Sequence, residues 1–345
     1  MEGEFDTAYP EGSLTDPPAS VAASVIDRES QANVLPPISG FRRRMAAFLI
    51  DVILLGIVGQ VLGWSLSSVW FQVGPYGRFV GLIVGLLYFG FMGSSFAGGQ
   101  TLGKRLLGVA VRDRDGRPIS LQRSILRTLV WIVPLTLNGL AIPLMENTIA
   151  ASIAGVVVMG VGGAIVVTMV FNRKSGQGLH DLLMDTFVLR LGGQPVESLP
   201  ISSRFQWKLS AGIVAAALLL TGAGFLLTSR FETLQQMMEL HRLLQSDDRF
   251  FSVGVNDGTF YSRGSQNRVL QIRVWCKGAP STVERTSAMN SVAKIALAMP
   301  DVQRYDMISI DTMSAFDLGI ASGHLSQHDG ETVDTWRKRL RAEKR

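Results

Sequence analysis

Apolar residues dominate five long stretches of this chain, and polar residues crowd between them. The runs cover about Met45–Leu66, Phe79–Ala97, Leu129–Met145, Ile149–Phe171 and Leu209–Ser229. A bilayer core is crossed by about 17–25 residues of helix. Four runs meet that length, while the third is short and carries Pro134 and Pro143. Buried helices of such number and length in a soluble chain would leave too little polar surface to cover them. The pattern therefore predicts an α-helical polytopic membrane bundle of about five transmembrane helices.

The segments between the runs set an orientation. Arg42, Arg43 and Arg44 precede the first run. Lys104, Arg105, Arg112, Arg114, Arg117, Arg123 and Arg127 lie between the second and third, and Arg173, Lys174, Arg190, Arg204 and Lys208 between the fourth and fifth. The alternate loops carry Arg78 in one and Glu146 in the other. Basic residues stay on the cytoplasmic side. The N-terminus is then cytoplasmic and everything after Ser229 lies outside the cytoplasm. A third run that turned back instead of crossing would move the C-terminus to the other side.

Shorter patterns mark further elements. LGVAVRDRDGRPISL reads as a cytoplasmic β-hairpin turning at Asp115-Gly116, and Thr186–Leu191 as a short strand that could join it. Ser120 is positioned to cap a helix in which Leu121, Ile125 and Leu126 share a face, with Arg123 and Arg127 at the headgroups. After the fifth run, Phe231, Leu234, Met237, Met238, His241 and Leu244 recur at helical spacing, as a stalk would. Phe250–Val255 and Arg268–Cys276 read as strands, the second with Leu270, Ile272, Val274 and Cys276 on one face. A helix over Ser281–Met299, a strand over Asp306–Thr312 and a basic helical tail complete a small α+β domain of β-β-α-β order.

The expected organisation is a disordered acidic tail over 1–38 and a four-span membrane domain over 39–192. A linker with the fifth helix follows over 193–229, then a stalk helix over 230–246 and an extracytoplasmic α+β domain over 247–345. The tail lacks the charged start and short apolar core of a signal peptide.

Composition agrees with a membrane protein. Only 18% of the 345 residues are charged, mean hydropathy is positive and glycine is abundant. The net charge of +5 does not point to nucleic acid, because the basic residues flank apolar runs. Cys276 stands alone, so no intramolecular disulfide forms, and its place on an apolar strand face reads as core. His324 and His328 sit four apart between Gly323 and Gly330, which reads as a solvated loop without metal, since no third ligand has the spacing of a metal motif. No Gly-x-Ser-x-Gly elbow or phosphate loop is present, so no enzyme activity and no cofactor are expected.

Asp51 sits six residues into the first apolar run, a costly place for a charge. It lies two helical turns from Arg44, a rise of about 10 Å, so the two share a face without pairing directly. His180, Arg127 and the Gly98–Lys104 segment are the candidates to meet it. RRRMAAFLID, the segment Gly98–Arg127 with its Gly99-Gln100-Thr101-Leu102-Gly103-Lys104 element, and GLHDLLMDTFVLR together resemble the RDD family of bacterial membrane proteins. The resemblance covers about Phe41–Leu191. It implies that Arg44, Asp51 and Asp181 are the family's arginine and two aspartates, and that Asp185 stands where glycine is commoner. It implies a bacterial plasma membrane location and, through some members, sodium/proton antiport or other transport.

Two functions stay in play. An anchoring or assembly protein would display the outer domain to a protein partner, with Arg44, Asp51, His180 and Asp181 as an intramembrane polar clasp. A transporter of an ion or small solute would use Asp51, Arg44 and Asp181 themselves, with Gly59-x-x-x-Gly63 and Gly81-x-x-x-Gly85 allowing close helix packing and Gly160, Gly162 and Gly163 loosening the fourth span. The Gly99–Lys104 element reads as a helix start at the membrane surface, with Lys104 touching lipid phosphates.

Overall fold

The computed structural model describes residues 36–140, 148–172, 175–192, 198–200, 204–228, 232–262 and 265–343. Most of the expected acidic tail lies outside the described residues. Four helical segments are long and apolar enough to cross a bilayer: Phe41–Ser65, Ser67–Gly90, Ile149–Phe171 and Arg204–Gly224.

The first segment is helix α1 (Phe41–Ser65). The second is α2 (Ser67–Val73), a tight turn at Gly74–Tyr76 and α3 (Gly77–Gly85), which continues into a π-helical turn at Leu86–Gly90. A connecting segment holds α4 (Leu102–Leu106) and β1 (Val109–Arg112). Helix α5 (Leu121–Leu137) follows, 17 residues long with Pro134 inside it. The fourth apolar run is α6 (Thr148–Gly155), a π-helical turn at Val156–Gly162 and α7 (Gly163–Phe171). Then come α8 (Leu179–Leu183), β2 (Phe187–Arg190) and α9 (Arg204–Thr228).

Helix α5 begins where expected: the Arg123 amide donates to the Ser120 hydroxyl at 3.3 Å. It runs antiparallel along the second segment. Ile125 lies beside Gly90, Ile132 beside Gly85, and Arg78 at the start of α3 donates to the carbonyls of Thr136 and Asn138. Phe48 of α1, Phe89 and Trp131 of α5 meet ring to ring, with Trp131 edge-on to both at 5.6 and 5.0 Å. Gly160 lies against Val214 and Ala217 of α9, so it admits a neighbouring helix, and it sits inside the π-helical turn that interrupts the α-helix of the fourth run.

The connecting segment corrects one expectation. Residues after Asp115-Gly116 do not return as a hairpin arm. Instead β1 pairs antiparallel with β2, Val109 opposite Arg190 through Arg112 opposite Phe187. β2 supplies Phe187 and Leu189, fully enclosed like Val109, Ala110 and Val111, while the arm after the turn contributes Ile119 to the core but carries Pro118, which has no amide to donate to a ladder. The Asp113 carboxylate satisfies that turn by accepting from the amides of Asp115 and Arg117 at 3.0 and 2.7 Å. Residues 37–39 add to the far side of β2, with the Ser39 amide on the Val188 carbonyl at 2.8 Å.

The C-terminal region is α10 (Glu232–Gln245), β3 (Phe250–Ser262), β4 (Ser265–Cys276), α11 (Thr282–Leu297), β5 (Met307–Asp317), β6 (Ser322–Thr332) and α12 (Val333–Ala342). The sheet order is β3-β4-β5-β6, and only β4 and β5 run parallel, joined by α11. Ser281 and Glu284 form a reciprocal cap at the start of α11. Two features differ from the sequence reading. Helix α10 is no free stalk, because Leu240 and Leu244 are buried in the same core as Ile272, Met289 and Trp336. His324 and His328 lie on β6 and not in a loop. That strand is polar on both faces, so its backbone pairing with β5 carries it and the apolar alternation is missing. His328 Nδ1 meets Asp311 Oδ1 at 2.7 Å, and no group of three or more His, Cys, Asp or Glu able to hold a metal occurs among the described residues. Cys276 is core, and burial pushes its thiol up.

The β5–β6 turn enters the membrane bundle. Leu318 and Ile320 fill a groove between α1 and α3. A β-carbon on Gly59 would come within 2.7 Å of Ile320 Cγ1, one on Gly63 within 3.1 Å of the Phe316 ring, and one on Gly81 would collide with the Leu318 carbonyl. Arg78 closes the groove with an ion pair to Asp317 at 2.7 Å. The glycine spacings read as helix-packing motifs therefore admit this turn, and of the four only Gly85 meets another helix.

Candidate functional site

Arg44, Ala47 and Asp51 occupy one buried face of α1, three and four residues apart. That face meets α4 so closely that a β-carbon on Gly103 would collide with the Ala47 carbonyl. Glycine is required there for the loop to reach Asp51.

Asp51 is held by neutral donors. Tyr88 donates its hydroxyl to Oδ1 at 2.7 Å, Thr101 its hydroxyl to Oδ2 at 2.5 Å, and Gly103 its amide to Oδ1 at 2.8 Å. Thr101 also caps α4, accepting from the Lys104 amide. The rest of the Gly99–Lys104 element places these donors. Gly99 has φ +69°, a left-handed conformation that favours glycine, and its carbonyl accepts from the Val111 amide at 2.8 Å. Gln100 donates its side-chain amide to the Val109 carbonyl at 3.0 Å. Both contacts fix the loop to β1.

Asp181 is held by cations. Arg44 Nη2 lies 2.5 Å from Oδ2, and Arg127 Nη2 lies 2.7 Å from Oδ1. Thr186 donates its hydroxyl to Oδ1 at 3.2 Å and Gly178 its amide to Oδ2 at 3.3 Å. Arg44 donates further to the Gly176 carbonyl. Asn172, Ser175 and Gln177 bond one another and the Thr186 carbonyl, which fixes the approach to α8. Burial alone would raise the Asp181 carboxyl, but Arg127 and Arg44 outweigh it and hold the group well below the usual carboxylate range. Burial pushes the His180 imidazole down to about 3, so the ring is neutral at pH near 7 although it lies 3.5 Å from Asp181.

Lys104 joins the two sets. It is half-buried and lies within the fields of Arg127, Asp51, Asp181 and Arg44. Burial pushes its ammonium down to about 7; the two arginines add to the shift and the two aspartates oppose it.

The residues singled out in the sequence thus come together, but in different pairings. Of the three candidates to meet Asp51, only the Gly98–Lys104 segment does. His180 and Arg127 belong to Asp181. Arg127 is buried under α5 and not at the headgroups, and Arg123 donates to the carbonyls of Met184 and Asp185 at 2.6 and 2.7 Å. Tyr88 and Thr186 escaped the sequence reading. A phenol in an otherwise apolar run was the available signal for Tyr88, since a buried hydroxyl takes a partner. Asp185 has φ +44°, the only positive value off glycine among the described residues.

Both carboxylates are engaged on each oxygen by donors from separate elements. The arrangement joins α1 to α4, α5, α8 and the second segment at one end of the bundle. No curated protein and no solved structure matches the chain. The sequence model of the RDD family matches residues 38–185, the stretch that carries Arg44, Asp51, the Gly99–Lys104 element and Asp181, so over that stretch the chain matches the RDD family.

Proposed function

We propose that this chain is a non-catalytic membrane anchor. Its RDD bundle holds the C-terminal α+β domain at the outer membrane surface and presents it to a protein partner. The observation that carries this reading is the β5–β6 turn seated between α1 and α3, closed by the Arg78–Asp317 pair. A domain tethered by a flexible linker would have no such seat. The polar cluster at the opposite end then serves as a clasp that keeps α1 and its neighbours in register. The clustering of Arg42, Arg43, Arg44 and the later basic residues supports an N-terminus in the cytoplasm of a bacterial cell. With α5 as a fifth crossing, the C-terminal domain is outside.

The test joins topology, flux and docking. A reporter fused after Arg345 is active only outside the cytoplasm. Purified protein in vesicles carries no sodium or proton flux, and Asp51→Asn changes none. Gly81→Leu unseats the turn, which is read as new protease cleavage within Asp317–Ser322, while the membrane domain stays folded. A cytoplasmic reporter, or a flux abolished by Asp51→Asn in a folded protein, defeats the anchor reading.

Ion or small-solute transport through Asp51, Arg44 and Asp181 is the second reading. Buried ionisable groups within a bundle favour it, as does a Lys104 ammonium brought to about 7, where a proton exchanges readily. Against it, the donors around Asp51 come from the packed framework, and a carboxylate that carries an ion must exchange its partners.

A further inference from the structure

The arginine-rich end of the bundle uses its guanidiniums unevenly. Arg44 and Arg127 serve Asp181, Arg114 pairs with Asp185 at 3.0 Å, and Arg123 serves two carbonyls. Arg42, Arg43 and Arg190 are different. Their side chains make no hydrogen bond or ion pair with any described residue, yet all three line one cavity of about 680 Å³. Three like charges around one hollow repel unless an anion lies among them.

The cavity also has an apolar flank. Ile38, Phe41 and Val170 line it beside the arginines, and Phe41 and Val170 are 43% and 47% exposed. Its depth is set by the helices: α1 begins at Phe41 and α7 ends at Phe171, so it opens at the headgroup level of two membrane-crossing segments. A free phosphate would use the guanidiniums and leave the apolar flank idle. A phospholipid uses both, with its phosphodiester among the arginines and the upper part of an acyl chain against Phe41 and Val170.

We propose that this cavity binds an anionic phospholipid. The site is separate from the Asp51–Asp181 cluster and shares none of its residues. It rests on the membrane reading of α1 and α7 and is indifferent to whether the protein anchors or transports.

The test titrates the full chain in detergent with short-chain phosphatidylglycerol and, in parallel, phosphatidylcholine of equal chain length. Bound lipid is counted by native mass spectrometry. Phosphatidylglycerol binds roughly 30- to 150-fold more tightly, the order expected from two or three arginines near an anionic headgroup. The pair Arg42→Gln and Arg190→Gln abolishes the preference. Lys208→Gln, exposed at the same end but outside the cavity, retains it. If the glutamine pair fails to fold, Arg42→Lys with Arg190→Lys takes its place and keeps most of the preference. Equal binding of the two lipids, or a preference untouched in a folded glutamine pair, overturns the assignment. So does displacement of the lipid by inorganic phosphate at matched concentration, which assigns the hollow to a free anion. A preference that emerges only after residues 1–35 are removed gives the cavity to the acidic tail and overturns it as well.

Discussion

Two aspartates at one end of the same bundle are stabilised in opposite ways. Asp181 faces two guanidiniums, and its charge is balanced within a few ångströms. Asp51 faces two hydroxyls and an amide, and no cation among the described residues lies within ion-pair distance of it. The difference follows from where each sits. Asp181 lies on a short helix outside the spans, where arginines of α1 and α5 can reach it. Asp51 lies within α1, where the nearest partners are a loop and a phenol brought in by other helices. Asp181 therefore sets charge balance, and Asp51 sets the place of the loop. One family signature contains both a salt-bridge hub and a hydrogen-bond hook.

The largest effect comes from unbalancing the hub. Asp181→Asn leaves Arg44 and Arg127 buried without a counter-charge and costs about 3–5 kcal/mol, read as a fall in unfolding free energy in detergent. Asp51→Asn turns one acceptor oxygen into a donor facing other donors. It costs about 1–3 kcal/mol, and hydrogen exchange rises in α4 and β1 while α8 stays protected. Equal losses for the two variants with exchange in the same segments would erase the distinction. Tyr88→Phe removes one of the three donors to Asp51 and costs about 1 kcal/mol by the same measurement.

A further effect depends on pH and grows as the medium is acidified. His180 is held to about 3 in the folded chain against an ordinary 6.5. Between those values the unfolded chain binds a proton there and the folded chain does not, so stability from this residue falls as pH falls through the window. His180→Gln therefore loses less stability than the parent on acidification from pH near 7, and the two converge above it. The smallest effect lies at Asp185, whose φ of +44° suits glycine. Asp185→Gly raises stability by up to about 1 kcal/mol, because relief of the left-handed backbone exceeds the exposed pair with Arg114. A lower melting temperature in that variant would show that the pair outweighs the backbone term.

Much of the architecture was readable in advance, for stated reasons. The spans announce themselves because lipid demands long apolar helices, and β4 and α11 announce themselves through alternation and a Ser281–Glu284 cap. Strand β6 did not, since SGHLSQHDGE has no apolar period and is stabilised by backbone pairing to β5. Helix α10 read as a stalk because its apolar stripe does not say what covers it. Arg127 read as a headgroup residue because an arginine at a helix end is commonly that, and only the presence of Asp181 turned it inward.

The linear chain by itself determined that this protein enters a membrane, that Asp51 places a charge inside an apolar run, and where small residues permit close approach. Those properties are local: hydropathy, charge and side-chain volume are fixed one residue at a time. Only the tertiary structure decided that Thr101 and Tyr88 answer Asp51, that Arg44 answers Asp181, and that Gly59 and Gly81 receive a β-turn from a distant domain. Pairing is a property of two positions and of the packing that brings them within about 3 Å, and hydrogen bonds weaken too steeply with distance for spacing along the chain to choose among several eligible donors.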